Sequence, residues 1–179
     1  MESTEKPLVN RVAQSGLITV NLEDYFPAGE LLSFDLKDYL FMGLILKEKD
    51  FREALKAHDW AQYFNKNLAV FCSADAIIPM WAWMLVATWA GPVANDVFQG
   101  TPDEFVRFSF AKKLAAIRPA DFEGKRIVIK GCSDRPVPAS AYLELTRLLQ
   151  PVAASIMFGE PCSTVPVFRK KSAGQIVVE

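Results

Sequence analysis

Residues 69–75 read Ala-Val-Phe-Cys-Ser-Ala-Asp, a short apolar run that ends in a Cys-Ser pair. Similar segments stand at 129–134, Ile-Lys-Gly-Cys-Ser-Asp, and at 159–164, Gly-Glu-Pro-Cys-Ser-Thr. The chain has three cysteines, and each is followed by serine: Cys72, Cys132 and Cys162. This recurrence predicts a repeated unit in which a strand leads through Cys-Ser into a helix.

An internal duplication accounts for the likeness. Residues 51–108 align with 110–167 after one insertion and one deletion around the Cys-Ser pair, and the alignment keeps three prolines in register. We therefore predict two copies related by a pseudo-twofold axis within one domain spanning residues 1–179. The ends, 1–8 and 170–179, are expected to be flexible.

Composition and charge exclude several classes of protein. With 179 residues, 51% of them hydrophobic, the chain can bury a core without disulfide bonds. A net charge of −1 argues against nucleic acid as a partner, and the basic cluster at 169–171 is short and close to a terminus. An odd number of cysteines and the lack of an apolar N-terminal segment predict a cytoplasmic protein.

The segment 76–95 contains no charged residue, and its length is close to the ~20 residues that a membrane span requires. The duplication argues against a span, because the aligned segment 135–154 carries Arg135, Glu144 and Arg147. We therefore predict no membrane association and a buried or interfacial helix instead.

The same helix, Ala76 to Ala90, predicts a homodimer. Five of its apolar or uncharged side chains fall on one face at helical spacing: Ile77, Trp81, Met84, Leu85 and Thr88. A helix without charge on any side has more apolar surface than one sheet can cover, so a second subunit is the natural cover. Its tryptophans are expected in the core or at that interface rather than as a stacking platform for bases.

Apolar runs and helical periodicity alternate along the chain, which predicts an α/β fold with a mainly parallel sheet. Strands are predicted at 17–21, 31–35, 68–71, 97–99, 126–130, 155–158 and 165–168. Helices are predicted at 51–58, 76–90, 102–117 and 138–150, and the segment 37–47 fits helix or strand. The helix from Pro102 has the clearest start, a capping box formed by Thr101 and Glu104.

All three cysteines are expected at the carboxyl edge of the sheet, where α/β proteins place their ligands. Cys72 and Cys132 each end a predicted strand and precede a helix. The helix N-caps would be Ser73 or Asp75 in one copy and Ser133 or Asp134 in the other. The two thiols would then lie in the field of helix N-termini, which stabilises thiolates.

The leading hypothesis is a site for a thiophilic metal, with the three cysteines as ligands. Thiolates select zinc, copper(I) or iron–sulfur centres. The fourth position would be a carboxylate, water or a partner's group, and the duplication favours Asp103 because it aligns with Cys162. Glu160 is a further acid at the same edge. His58, the only histidine, ends a helix at the opposite edge, where interaction with the helix dipole explains it better than ligation.

Two alternatives remain open. In the first, the protein is a thiol enzyme, in which one cysteine beside a helix N-terminus is the nucleophile and another resolves it. In the second, it is a non-catalytic dimeric scaffold that uses the charge-free helix. The sequence contains no Walker or Rossmann glycine loop, no nucleophile elbow and no His-Glu-x-x-His motif.

Several motifs resemble an uncharacterised bacterial family, the domain of unknown function 2480, found mainly in Bacteroidota. They are Leu-Ile-Leu-Lys-Glu-Lys-Asp-Phe-Arg-Glu at 44–53, His-Asp-Trp at 58–60, and the three Cys-Ser segments with their neighbours at 72–79, 130–134 and 159–166. The resemblance covers nearly all of residues 9–168. It implies a small cytoplasmic protein of unassigned activity, with iron–sulfur assembly proteins as partners. It establishes no catalytic residue.

Overall fold

The computed structural model describes residues 16–131, 135–160, 162–170 and 176–177, the last pair through its backbone only. The predicted flexible end 1–8 lies outside the described residues, as do 171–175 and 178–179. At the other end, Lys170 and residues 176–177 belong to strands, and the flexibility predicted for 170–179 stays a prediction.

The described residues form eight strands and four α-helices, with a short 3₁₀ helix before or after several of the strands. The strands are β1 Leu17–Asn21, β2 Leu31–Asp35, β3 Asn67–Phe71, β4 Asp96–Gln99, β5 Arg126–Lys130, β6 Ser155–Glu160, β7 Ser163–Lys170 and β8 Ile176–Val177. The helices are α1 Glu48–Ala57, α2 Met80–Ala90, α3 Pro102–Leu114 and α4 Ala139–Leu149. The 3₁₀ helices are Leu22–Tyr25, Leu36–Tyr39, Trp60–Tyr63 and Pro119–Phe122.

The described strands form two sheets, in which four of the six strand pairings are parallel. The prediction of an α/β fold with mainly parallel strands is therefore confirmed. The chain divides into two compact units, each with one sheet. The first unit comprises Met1–Phe26 and Phe110–Glu179, and the second comprises Pro27–Ser109.

The first unit contains the sheet β1-β5-β6-β7-β8, in which β1, β5 and β6 are parallel and β7 and β8 are antiparallel. Its interior strand β5, between β1 and β6, reads Arg-Ile-Val-Ile-Lys and buries all three apolar residues. A strand covered on both faces needs such a continuous β-branched run. Helix α4 adds a buried stripe at a spacing of four residues: Ala141, Leu145 and Leu149.

The second unit contains the parallel sheet β2-β3-β4, and its central strand β3 is buried from Asn67 to Val70. Helix α2 supplies the stripe Ala82, Val86 and Ala90. The segment 37–47, ambiguous in the sequence, contains the end of a 3₁₀ helix and a tight turn closed by a bridge between Phe41 and Ile45.

Up to β4 and β6 the two units share their order of strands and their strand register, and after those strands they differ, because α3 follows β4 and β7 follows β6. In the second unit Leu68 pairs with Val97, and in the first Ile127 pairs with Ile156, each 59 residues after its counterpart. The outer strands β1 and β2 pair in parallel with β5 and β3, respectively, and each continues into a 3₁₀ helix. A superposition that brings Cys72 onto Cys132 stays a prediction, because Cys132 lies outside the described residues.

Candidate functional site

The predicted cysteine site is not assembled in the described part of the chain. Cys72 follows β3 in the second unit, whereas Cys162 is exposed in the turn between β6 and β7 of the first. The described residues contain no group of three or more His, Cys, Asp or Glu side chains that could hold a metal ion. Cys132, Ser133 and Asp134 lie outside the described residues.

The prediction of a thiophilic metal or iron–sulfur site is therefore wrong. Its premise was one carboxyl edge that gathers all three cysteines, but the strands belong to two sheets and Cys162 lies in an antiparallel hairpin. Asp103 is exposed in the first turn of α3, and Glu160 pairs with Lys130 at 3.4 Å. The expectation of iron–sulfur assembly partners has no support without that site.

Cys72 does not lie at a helix N-terminus. Helix α2 begins eight residues later, at Met80, and its N-cap is Pro79, which makes no side-chain cap hydrogen bond. Proline pushes the residue before it out of the helical region, so the helix cannot start earlier, at Ser73 or Asp75. Helix α4 likewise starts after Pro138, so Ser133 and Asp134 are not its N-caps.

Asp35 holds the loop that contains Cys72. Its carboxylate accepts a hydrogen bond from the Ser73 amide at 3.0 Å and another from the Lys37 amide at 2.9 Å. Partial burial opposes ionisation, but the hydrogen bonds from Ser73 and Lys37 outweigh it and lower the pKa of Asp35. The half-buried Cys72 thiol points back at the Ala74 carbonyl, with 3.5 Å between sulfur and oxygen.

A cleft of about 700 Å³ opens beside this loop, at the carboxyl ends of β3 and β4. We call it the carboxyl-edge cleft. Its lining residues are Phe71, Cys72, Ala74, Ala76, Ile78, Met80, Trp83, Met84, Gln99, Gly100, Thr101 and Glu104. All of them belong to the second unit. Cys72 is the only predicted ligand among them.

One wall of the cleft is apolar and comes from α2. Met80, Trp83 and Met84 lie there, and Met84 is 68% exposed. Such large apolar surface left open to solvent is typical of sites that bind a ligand or another chain.

The opposite wall is polar and comes from the start of α3, where the predicted capping box is confirmed. The Glu104 carboxylate accepts hydrogen bonds from the Thr101 amide at 2.7 Å and its hydroxyl at 2.9 Å, and the Glu104 amide donates to that hydroxyl at 3.4 Å. The two hydrogen bonds from Thr101 lower the pKa of Glu104, so its side chain stays negative.

Gly100 follows β4, between the carboxyl end of that strand and the start of α3. Its φ of +144° is a conformation that side chains rarely adopt, and a Cβ there would meet the Phe98 ring at 2.5 Å. Its amide donates to the Val70 carbonyl at 2.8 Å, which extends the contact between β3 and β4. The lining of the cleft therefore combines apolar side chains from α2 with the carboxylate of Glu104, and Gly100 leaves no room for a side chain beside Phe98.

His58 ends α1 as predicted, but its surroundings are aromatic. The Tyr63 hydroxyl lies 2.9 Å from Nε2 and the Tyr39 hydroxyl 3.4 Å from Nδ1, while the rings of Phe34 and Trp60 pack edge-on. Burial lowers the pKa of His58 and raises that of Tyr63 to about 12. Burial thus favours the neutral ring and opposes the charged form that a helix dipole would stabilise, and the predicted interaction with the dipole stays a prediction.

Helix α2 differs in part from the predicted interface. Trp81 is half-buried against Phe51, with 6.2 Å between ring centroids, and so leaves the predicted face. The exposed residues of the helix are Met80, Met84, Ala87, Thr88 and Trp89, and Ile77 just before the helix is 92% exposed. Among the described residues, no helix is long and apolar enough to cross a membrane.

Sequence reasoning missed both the cleft and the aromatic cluster, although their residues carried a signal. Methionines spaced by four on a charge-free helix, followed by a capping box, mark the two walls of the cleft.

In comparison with known proteins, this chain matches a family profile. No curated protein and no solved structure matches the chain. Over residues 6–170, however, the sequence fits the profile described as "Protein of unknown function (DUF2480)", and the chain therefore belongs to that family.

Proposed function

We propose that the protein binds a small amphipathic molecule in the carboxyl-edge cleft. The apolar body of the ligand lies against Met80, Trp83 and Met84, and a cationic or hydrogen-bond-donating group faces Glu104. The observation that carries the proposal is the pairing of these two walls across one cleft.

The position and size of the cleft support this function. Open parallel sheets bind ligands outside the carboxyl ends of their strands. A volume of about 700 Å³ falls within the range of small-molecule sites, which combine apolar walls with a few polar groups.

The charge of the cleft favours one class of ligand. Among the described lining residues Glu104 is the only one with a formal charge, and its carboxylate, whose pKa the hydrogen bonds from Thr101 lower further, is ionised at neutral pH. A protonated amine attached to an apolar body therefore gains from both walls, whereas a carboxylate with the same body meets like charge.

Octylamine and octanoate test this charge preference, because they share an apolar body and carry opposite charges. Binding at neutral pH is followed by tryptophan fluorescence, since Trp83 lines the cleft. We expect saturable binding of octylamine and affinity for octanoate that is ~10-fold weaker or worse. Equal affinity for the two compounds would contradict the proposal.

Two matched pairs of variants locate the site. Met84→Ser should weaken octylamine binding ~5-fold or more by removing apolar contact, whereas Phe64→Ser, at a side chain 65% exposed outside the cleft, should not. Glu104→Gln should remove the preference for octylamine, whereas Glu53→Gln on α1 should keep it. Glutamine at position 104 can still form the capping box with Thr101, so the start of α3 is preserved. Equal effects within either pair would overturn the assignment.

A second candidate is a homodimer through α2, as proposed from the sequence. It is favoured by adjacent exposed apolar residues, Ile77, Met80 and Met84, on a segment without charge. A stable interface of this kind would bury more than ~1,000 Å² in total. A cytoplasmic location likewise stays a prediction.

Sedimentation equilibrium separates the homodimer from the small-molecule site. Met84→Glu should dissociate a dimer, whereas Leu143→Glu should not, because Leu143 occupies the matching position on α4 and is also 68% exposed. Trp81→Glu is a poor test because Trp81 packs against Phe51. A wild-type chain that sediments as a monomer at micromolar concentration would exclude the dimer and leave the ligand proposal intact.

A further inference from the structure

The amino end of the first unit's parallel strands carries a row of basic residues that the sequence does not bring together. Arg126 on β5 pairs in register with Ser155 on β6, which pairs with Arg169 on β7. Registered neighbours project to the same face of a sheet. With strands ~4.8 Å apart, the two arginine Cα atoms are ~10 Å apart with the serine between them. We call Arg126, Ser155 and Arg169 the basic row.

The charges of the row are not neutralised by the described part of the chain. No ion pair or side-chain hydrogen bond links Arg126, Arg169 or the adjacent Lys170 to another described residue. At the carboxyl ends of β5 and β6, by contrast, Lys130 of β5 forms an ion pair with Glu160 of β6. An anion between the two arginines would therefore supply a favourable charge interaction that no described side chain provides.

The row lies in a concavity of about 480 Å³. The described residues that line it include Arg126, Ser155, Met157, Pro166, Arg169 and Lys170, and none of these described lining residues is acidic. Positive charge in a concave site with low-dielectric walls gives a stronger local potential than the same charge on a flat surface.

We infer that this concavity binds the phosphate group of a small phosphorylated molecule. A guanidinium presents a planar fork of donors that matches phosphate oxygens bidentately. A phosphate has enough oxygens to accept from both arginines and the Ser155 hydroxyl together, whereas a carboxylate fills one fork. Three cations in one small concavity suit a single phosphate group, since nucleic acid binding relies on many phosphate contacts along an extended face.

The site is independent of the carboxyl-edge cleft, so either proposal can fail without the other. Nuclear magnetic resonance titration of the full chain with inorganic phosphate and with methyl phosphate, at constant ionic strength, tests it directly. We expect saturable shifts centred on the amides of residues 126, 155 and 169. Acetate at equal concentration should bind ~10-fold more weakly or worse, because it engages one fork.

Substitutions assign the contacts. Arg126→Gln and Arg169→Gln should each weaken phosphate binding ~10-fold or more, and Ser155→Ala by a smaller factor. Arg52→Gln is the matched control, because it removes the same charge from an exposed arginine of the second unit. Circular dichroism verifies that each variant is folded.

Three results would overturn the inference. The first is a lack of saturable shifts up to ~10 mM phosphate, the second is shifts centred away from the row, and the third is an equal effect of Arg52→Gln. The last would mean that phosphate responds only to net charge.

Discussion

Helices α2 and α4 bury side chains at equivalent positions, but their solvent-facing sides differ in charge. The stripe is Ala82, Val86 and Ala90 on α2, and Ala141, Leu145 and Leu149 on α4, at positions 59 residues apart. On its outer side α4 carries an ion pair between Glu144 and Arg147 at 2.6 Å, whereas α2 carries no charge at all. The inward stripe is thus dictated by packing on a parallel sheet, and the outward surfaces are free to serve different sites.

The segments that follow β4 and β6 show how a small change in sequence redirects the chain. Residues 101–104 read Thr-Pro-Asp-Glu and start α3 through a capping box. The aligned residues 160–163 read Glu-Pro-Cys-Ser, which lacks the N-cap threonine and the acid three residues later, and a hairpin into β7 follows instead. Asp103 and Cys162 are therefore aligned in sequence but lie in different local structures.

The largest expected effect comes from two matched phenylalanines. Phe51 packs against Tyr39 and Trp81, and its counterpart Phe110 packs edge-on against Phe26; both are 1% exposed. Replacing either with alanine should lower the free energy of unfolding by ~3–5 kcal/mol, because each leaves a cavity in a closed core. Urea titration followed by circular dichroism measures both losses.

Phe64→Ala is the control for this pair, because Phe64 is exposed and its removal should cost less than ~0.5 kcal/mol. All four tryptophans belong to the second unit, so fluorescence reports on that unit separately. If one of the two substitutions costs less than ~1 kcal/mol, the units are not built on equivalent cores.

A smaller difference is expected at the caps of the 3₁₀ helices after β1 and β2. The Asn21 side chain accepts one amide hydrogen bond, from Glu23, whereas Asp35 accepts two, from Lys37 and Ser73. Asp35→Ala should therefore cost ~1–2 kcal/mol and Asn21→Ala ~0.5–1 kcal/mol, measured by urea unfolding. Equal costs would mean that the hydrogen bond to Ser73 contributes nothing.

The Asp35 carboxylate also adds a dependence on acid. Its folded pKa is lowered, so its contribution to stability is present above the ordinary value of 3.8 and is lost as the pH falls through the folded pKa. Asp35→Asn keeps an acceptor without the charge and should lack this loss. The stability of wild type relative to Asp35→Asn should therefore fall with acidification, and a constant difference would contradict the assignment.

Removing the side-chain cap at the start of α3 should lower the free energy of unfolding by about as much as removing one of the 3₁₀ caps. Thr101→Ala removes the hydroxyl that accepts from the Glu104 amide and should cost ~1 kcal/mol. Thr88→Ala is the control, because that threonine lies within α2, where its hydroxyl bonds back to the Leu85 carbonyl and alanine is a good replacement. If the two changes have equal effects on urea unfolding, the capping box does not hold the helix start.

Much of the fold could be predicted because its signals are local. The strands at 17–21, 31–35 and 126–130 have their predicted bounds, since β-branched and apolar runs end there at caps or polar residues. The predicted helix start at Ala76 was four residues early, because the apolar pattern continues smoothly through Pro79 while the backbone does not.

The sites could not be predicted in the same way because they depend on how distant segments pair. Cys72 and Cys162 resemble each other locally, yet they end strands of two different sheets. Arg126 and Arg169 stand more than forty residues apart in the sequence and meet only through the register of β5, β6 and β7. Local patterns predict strands and helices, whereas the identity of a strand's neighbour is set by tertiary packing.

The smallest predicted effect concerns His58, which belongs to an aromatic cluster of the second unit. Burial lowers its pKa below 6.5, so the unfolded chain binds more protons than the folded one as the pH drops past that value. Wild type should therefore lose stability relative to His58→Gln between about pH 7 and pH 5, while glutamine keeps a partner for the Tyr63 hydroxyl. Urea unfolding of both proteins across that range measures the difference. A relative stability that stays constant with pH would mean that burial does not shift the pKa of His58. One that rises with acidification would mean that the folded protein favours the charged ring, and the helix dipole rather than burial would then govern this residue.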